Sequence, residues 1–154
     1  METGSIAIPD VLVVPLKRHE DHRGWLVELF RTDTLPPGFH PEMGYFSMTH
    51  PGIARGPHEH VDQTDGFLFF SGSYHLHLWE NRPNLPENHV ILEVGEANPV
   101  FVTIPPGVVH AYRNAGTTDA FVINIPNQLF AGLNRAEPVD EIRHEDEENS
   151  RFKL

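Results

Sequence analysis

The sequence predicts an all-β fold, a β-sandwich or barrel with little helix. Three observations carry this. The apolar runs are short and bounded by Pro, Gly, Asn and Asp; Pro and Gly alone number 14 and 12 in 154 residues. Several runs alternate with period 2. In Tyr74–Trp79, for example, Tyr74, Leu76 and Leu78 take one face and His75, His77 and Trp79 the other. β-branched and aromatic residues dominate the runs, as pleated, half-buried positions favour.

The expected strands, in order, are Val11–Lys17, Trp25–Arg31, Tyr45–His50, Phe67–Ser71, Tyr74–Glu80, His89–Val94, Val100–Ile104, Val108–Arg113 and Phe121–Ile125. Turn residues separate them about every 8–15 positions, the rhythm of a sandwich or barrel. Thr34–Pro41 carries three prolines, which cannot donate to a strand ladder, and reads as an exposed loop. Asn81–Asn88 is a second loop. Asn127–Leu133 offers one short helical turn, and Trp25 and Trp79 are assigned to the core. The run Asp140–Glu148 has charge but little to bury. The domain organisation expected is therefore one domain over residues 1–134 and a solvated acidic tail over 135–154, whose Phe152 could dock on the body or on a second subunit.

Eleven Lys+Arg against 22 Asp+Glu give a net charge of -11. That balance argues against a nucleic-acid binder, which needs a basic face to replace counterions, and equally disfavours an anionic membrane. An anionic small ligand needs a local Arg or Lys cluster. The absence of Cys excludes disulfides, thiol catalysis and Cys–zinc sites. Met1–Ser5 has no basic stretch, and Val11–Leu16 is broken by Pro15. Neither suits a signal core or a membrane span, so a soluble, cytoplasmic protein is expected.

The chemistry concentrates in two segments. Gly56-Pro57-His58-Glu59-His60 through Asp65 to Gly72 reads H-x-H, four residues, an acid, six residues, Gly. On a strand His58 and His60 share a face, about 6–7 Å apart. Pro105-Pro106-Gly107-Val108-Val109-His110-Ala111-Tyr112-Arg113-Asn114 reads P-x-G-x-x-H-x-x-x-N, with a Pro–Gly turn launching the strand that bears His110. Together these segments resemble the paired motifs of the cupin superfamily, a double-sheet jelly roll. Asp65 stands where Glu is usual, and Pro99 where the second motif normally opens with Gly. The resemblance implies His58, His60, Asp65 and His110 as metal ligands. Imidazole plus carboxylate suits Fe, Mn, Ni or Zn. No organic cofactor is expected.

A further set of motifs narrows the resemblance. Asp21-His22-Arg23-Gly24-Trp25-Leu26-Val27-Glu28-Leu29-Phe30, Arg55-Gly56-Pro57-His58 and Ile104-Pro105-Pro106-Gly107-Val108-Val109-His110 are similar, in order, to D-x-R-G-x-x-x-E-x-F, R-G-x-H and I-P-x-G-x-x-H of the dTDP-4-dehydrorhamnose 3,5-epimerase family. That resemblance implies proton abstraction beside the 4-keto group of a dTDP-linked 6-deoxyhexose. It maps the general base to His58 and the second His of the sugar pocket to His110. Arg23, Glu28 and Arg55 fall on the nucleotide site, where guanidinium groups suit phosphate. His60 stands two residues after the base, where the family has Gln. Two departures stand out: the family Lys that stabilises an enolate is matched by Asp65, and its general-acid Tyr falls near Ile123. Tyr112 is a candidate replacement from a neighbouring strand. The carboxylate partner of the base is matched loosely by Glu145 or Asp146. Arg55-Gly56-Pro57-His58-Glu59-His60 also resembles the sugar 3,4-ketoisomerases, which imply two catalytic histidines and no metal.

The expected function is thus a sugar-nucleotide epimerase or isomerase, a homodimer whose partner molecule is a nucleotide sugar. The alternatives are a metal-dependent cupin of another class, such as an oxygenase or lyase, and a non-catalytic sugar-binding cupin. With a metal in the cage, the base passes to Glu59, His75, His77 or Tyr112.

Overall fold

In the computed structural model, which describes residues 4–154, thirteen short strands and two 3-10 turns account for the regular structure. The strands are β1 (Gly4–Ser5), β2 (Leu12–Pro15), β3 (Arg18–Asp21), β4 (Gly24–Val27), β5 (Tyr45–Thr49), β6 (Ala54–Glu59), β7 (Asp65–Phe69), β8 (Ser73–Glu80), β9 (His89–Gly95), β10 (Val100–Ile104), β11 (Val108–Asn114), β12 (Ala120–Asn124) and β13 (Ile142–Arg143). They form a six-stranded sheet in the order β1-β2-β10-β7-β12-β5 and a five-stranded sheet in the order β13-β6-β11-β8-β9, with β3-β4 as a separate hairpin. This is the double-sheet jelly roll the motifs imply. The pairings are antiparallel.

Period-2 alternation explains the layering. Tyr74, Leu76 and Leu78 of β8 are fully buried against Phe67, Phe69, Val100, Val102 and Val122 of the other sheet. Removing each such side chain from water contributes about 1.5–3 kcal/mol. The outer faces are also covered, which is why β7 and β10 are buried on both sides. Leu68 and Phe101 lie under Phe39, so the proline-rich loop packs on the six-stranded sheet where exposure was expected. Trp79 lies under Phe152 beside Val109 and Ala111, whereas Trp25 is half-exposed on the hairpin and belongs to no core cluster.

Gly72 and Gly107 occupy the β7–β8 and β10–β11 turns with φ of 61° and 73°. At Gly56 the constraint is tighter. Its φ is 82°, and a Cβ there would stand 2.5 Å from the His110 carbonyl oxygen. Only glycine lets β6 approach β11 closely enough to set His58 opposite His110.

Two expectations are corrected. Residues 127–132 form bends and turns, and the 3-10 turn begins only at the last residue of the expected stretch, over Leu133–Arg135. The acidic tail is not a solvated appendage. Ile142–Arg143 pairs with Glu59 and His58 on the edge of the five-stranded sheet, His144 is buried against Glu59 at 2.8 Å, and Phe152 is buried on Trp79. The edge of β6 carries unpaired backbone groups and a buried Glu59 carboxylate, and the segment satisfies both.

Candidate active site

β6 and β11 pair so that His110 stands opposite His58. The chain leaves β6 at His60, makes a tight turn, and re-enters the other sheet at Asp65. Short reach at this point forces the three rings and the carboxylate together. The ring centroids of His58 and His110 are 4.5 Å apart, and each lies 5.7 Å from that of His60. One nitrogen from each His and one Asp65 oxygen all lie within 4.8 Å of one another. Asp65 Oδ2 is 3.0 Å from His60 Nε2 and 3.1 Å from His110 Nε2. Asp65 Oδ1 accepts hydrogen bonds from the side-chain amides of Gln63 and Asn124 at 2.9 and 3.0 Å.

This cluster forms part of the wall of a cavity of about 1110 Å³ between the two sheets. Arg55 and Tyr112 line it as well. Arg55 donates to Thr49 Oγ1 and the Met48 carbonyl, which holds its guanidinium at the cavity wall. Arg23 and Glu28 are not brought there. They sit on or just after the separate β3–β4 hairpin, with Arg23 paired to Asp21 at 2.5 Å and Glu28 to Arg31 at 3.8 Å. Among the described residues the hairpin strands pair only with each other, and neither Arg23 nor Glu28 lines the cavity. Glu59 points away to His144 and Asn81. His77 stacks on Trp79 on the outer face of the five-stranded sheet, and by alternation His75 shares that face.

Residues 19–136 match the family described as the polysaccharide biosynthesis C-terminal domain. The chain belongs to that family. The curated protein named "Probable low-salt glycan biosynthesis epimerase", from Haloferax volcanii, is 34% identical over 126 residues, which are 80% of this chain and 81% of that protein. The fold is shared with NovW, a 4-keto-6-deoxy sugar epimerase from Streptomyces spheroides, with a TM-score of 0.79, 14% identity, and coverage of 93% of this chain and 73% of that one. A dTDP sugar isomerase from Desulfovibrio desulfuricans gives a TM-score of 0.78, 21% identity, and coverage of 95% and 91%. An enzyme of the epimerase type is in keeping with these relatives. Among the described residues no helix is long and apolar enough to cross a membrane.

In this member of the polysaccharide biosynthesis C-terminal domain family the three histidines are electrostatically distinct. Burial, then the neighbouring His110, pushes His58 down to about 2, so its imidazole is neutral. Burial also opposes charge on His60, but the hydrogen bond to Asp65 and that carboxylate's charge outweigh it and raise His60 to about 9. The geometry agrees. His60 Nδ1 donates to the Asp140 carbonyl, and Nε2 faces Asp65. Asp65 itself is held well below the usual carboxylate range; burial works against this, and the close His110 and His60 rings prevail.

The donor set also fits a divalent cation. His60 and His110 each anchor Nδ1–H on a backbone carbonyl, of Asp140 and Val108, and turn Nε2 toward Asp65. That is the outer-shell arrangement that orients imidazole ligands. The Nε2 of buried His110 faces Asp65 Oδ2 at 3.1 Å without the alignment of a hydrogen bond.

The C-terminal segment completes the wall. Glu141 and Glu145 place carboxylate oxygens 3.8 and 4.0 Å from His58 Nδ1, and Arg143 holds both acids at 3.5 and 3.0 Å. Asp140 accepts the backbone N–H groups of Val61, Asp62 and Gln63 at 2.7–2.8 Å. Of these acids only Glu145 was legible beforehand, as a loose match to a family carboxylate. Asp140 and Glu141 read as ordinary solvated charge, and Tyr45, Gln63 and Asn124 carry no motif. Asp140→Ala is expected to cost about 1–2 kcal/mol, the scale of a lost cap. It should also speed amide hydrogen exchange at residues 139–146, measured by mass spectrometry, while the core strands stay protected.

Proposed function

We propose that this chain is a nucleotide-sugar epimerase that removes and returns a proton beside the 4-keto group of a dTDP-linked 6-deoxyhexose. One observation carries the reading: a neutral imidazole, His58, stands in a large cavity with two carboxylates beside its second nitrogen. Neutral His58 accepts the C–H proton through one ring nitrogen. Glu141 and Glu145 stabilise the imidazolium that forms, as a carboxylate does for a catalytic histidine. His60, with both ring nitrogens on oxygen acceptors, offsets the negative charge of Asp65, which stands where the family has Lys, so that the wall does not repel the growing enolate. His110 completes the sugar wall.

The cavity lining is rich in acids, with Arg55 and Arg143 as its arginines. The nucleotide's diphosphate therefore calls for further positive charge. A homodimer supplies it if the β3–β4 hairpin, with Trp25, Leu26 and Arg23 exposed, reaches across to the second subunit's cavity. A C2 contact of this kind is self-complementary and covers the exposed apolar residues.

The second reading is a divalent-metal cupin, favoured by the convergence of three imidazole nitrogens and one carboxylate oxygen within 4.8 Å of one another. His58, His60, Asp65 and His110 would hold Fe, Mn, Ni or Zn. A bound ion supplies Lewis-acid polarisation of a ketone or water. His58 would then be a ligand and unavailable as base.

The test uses untagged protein with dTDP-4-keto-6-deoxyglucose in D2O, with and without chelator, alongside its metal content. Deuterium entering beside the ketone in metal-free protein is the expected result. Exchange that vanishes with chelator and returns with one metal supports the second reading. No exchange in either state overturns the epimerase.

A further inference from the structure

We infer that Tyr45 is the general acid that delivers the new proton, from the wall opposite His58. The inference rests on the epimerase reading. Inverting a carbon requires proton removal at one face and delivery at the other, so base and acid must stand on opposite walls. His58 and His110 belong to β6 and β11 of the five-stranded sheet. Tyr112 is on β11 too, two residues from His110, and so shares the wall of the base. It is also 4% exposed and locked edge-on among Phe67, Phe69 and Tyr74, with centroids 5.5–5.6 Å away.

Tyr45 begins β5, the edge strand of the six-stranded sheet, and lines the cavity. Alternation turns Tyr45, Ser47 and Thr49 inward, and Phe46 outward onto Phe121. Its antiparallel partner is Asn124. That register matters. Ile123, where the family acid falls, packs on the outer face, and the inward residue beside it is Asn124, whose amide holds Asp65. The phenol is thus supplied one strand over, at the same height in the sheet. Tyr45 is 41% exposed, so it can regain a proton from solvent. Among the described residues no hydrogen bond ties up its hydroxyl. Burial raises the phenol, Arg135 opposes this, and the charges of Asp65 and Glu141 add to the rise, so Tyr45 remains protonated.

The step balances without an oxidant or reductant. His58 takes the C–H proton while the bonding pair moves to the ketone oxygen. The pair returns to the same carbon as it takes the Tyr45 hydroxyl proton on the opposite face. Tyr45 is left as phenolate and His58 as imidazolium, and exchange with solvent restores both.

Wild type, Tyr45→Phe, Tyr112→Phe and His58→Asn are incubated with dTDP-4-keto-6-deoxyglucose in D2O, and recovered substrate and epimerised product are followed by NMR. Tyr45→Phe should still wash deuterium into recovered substrate within about threefold of wild type. Its epimerised product should fall about 100-fold or more. His58→Asn should lose both. Product at the wild-type rate in Tyr45→Phe overturns the inference. So does loss of exchange and product together in that variant, or a split appearing in Tyr112→Phe instead. A wild type that neither exchanges nor converts the sugar overturns the epimerase reading, and the inference with it.

Discussion

His58→Gln is expected to lower deuterium exchange beside the sugar ketone by about 10²–10⁴-fold, the usual worth of a positioned general base. Gln keeps a polar group near Glu141 and Glu145 but offers no nitrogen lone pair to accept a proton. His58 is largely buried beside His110, so the variant's fold must be checked separately, by the coincidence of its thermal transition with that of wild type. Glu141→Gln and Glu145→Gln should each cost less, because the two acids share one imidazole at 3.8 and 4.0 Å. Full exchange in folded His58→Gln protein would remove His58 from the mechanism.

Asp65→Ala is expected to destabilise the chain by about 3–5 kcal/mol, the scale of breaking a buried charge pair by removing one partner. Asp65 is 1% exposed and lies 3.0–3.1 Å from both His60 and His110. Its loss also strands the amides of Gln63 and Asn124. Urea unfolding measures the cost. The same cluster sets a pH profile for metal-free protein. His60 is raised from 6.5 to about 9, so its contribution is full below 6.5 and fades as pH climbs toward 9. His58 is lowered to about 2, so below 6.5 the unfolded chain binds a proton that the folded chain refuses, and stability falls with acid. Each limb slopes by about 1.4 kcal/mol per pH unit for one proton, with the maximum near neutral pH. Asp65→Asn removes the charge that holds the His60 proton and should flatten the alkaline limb. An unchanged alkaline limb in that variant would show that His60 is not the group titrating.

Much of this architecture follows from residue order alone. A strand's side-chain period is fixed at 2, so the alternation in Tyr74–Trp79 already sorts core from outer face. Turns that require φ > 0 favour Gly, so Gly72 and Gly107 mark strand ends wherever the chain packs. His58 and His60 share a strand face because they are two residues apart, and the spacing to Asp65 and His110 carries the motif that unites them. Four short strands, one of them Gly4–Ser5, have no counterpart among the apolar runs. Arg18–Asp21 and Ile142–Arg143 have no apolar alternation, and Ala54–Glu59 contains Gly and Pro; each is a strand because a neighbouring edge offers hydrogen bonds.

What sequence could not decide is which distant groups close on the cavity. Asp140 lies 80 residues from His60, and Tyr45 lies 79 residues from Asn124, yet the Asp140 carbonyl accepts from the His60 ring and Tyr45 pairs with Asn124 across the sheet. A charged run such as Asp140–Glu148 looks the same in sequence whether it is solvated or clasped, because its favourable partners are N–H groups and rings from elsewhere in the chain. The charge states of the histidines follow the same rule. His58 and His60 are chemically identical side chains two residues apart, and burial beside His110 makes one neutral while Asp65 and the Asp140 carbonyl make the other a cation. Periodicity and turn chemistry are local and are written in the chain; desolvation and long-range pairing exist only once the two sheets have closed.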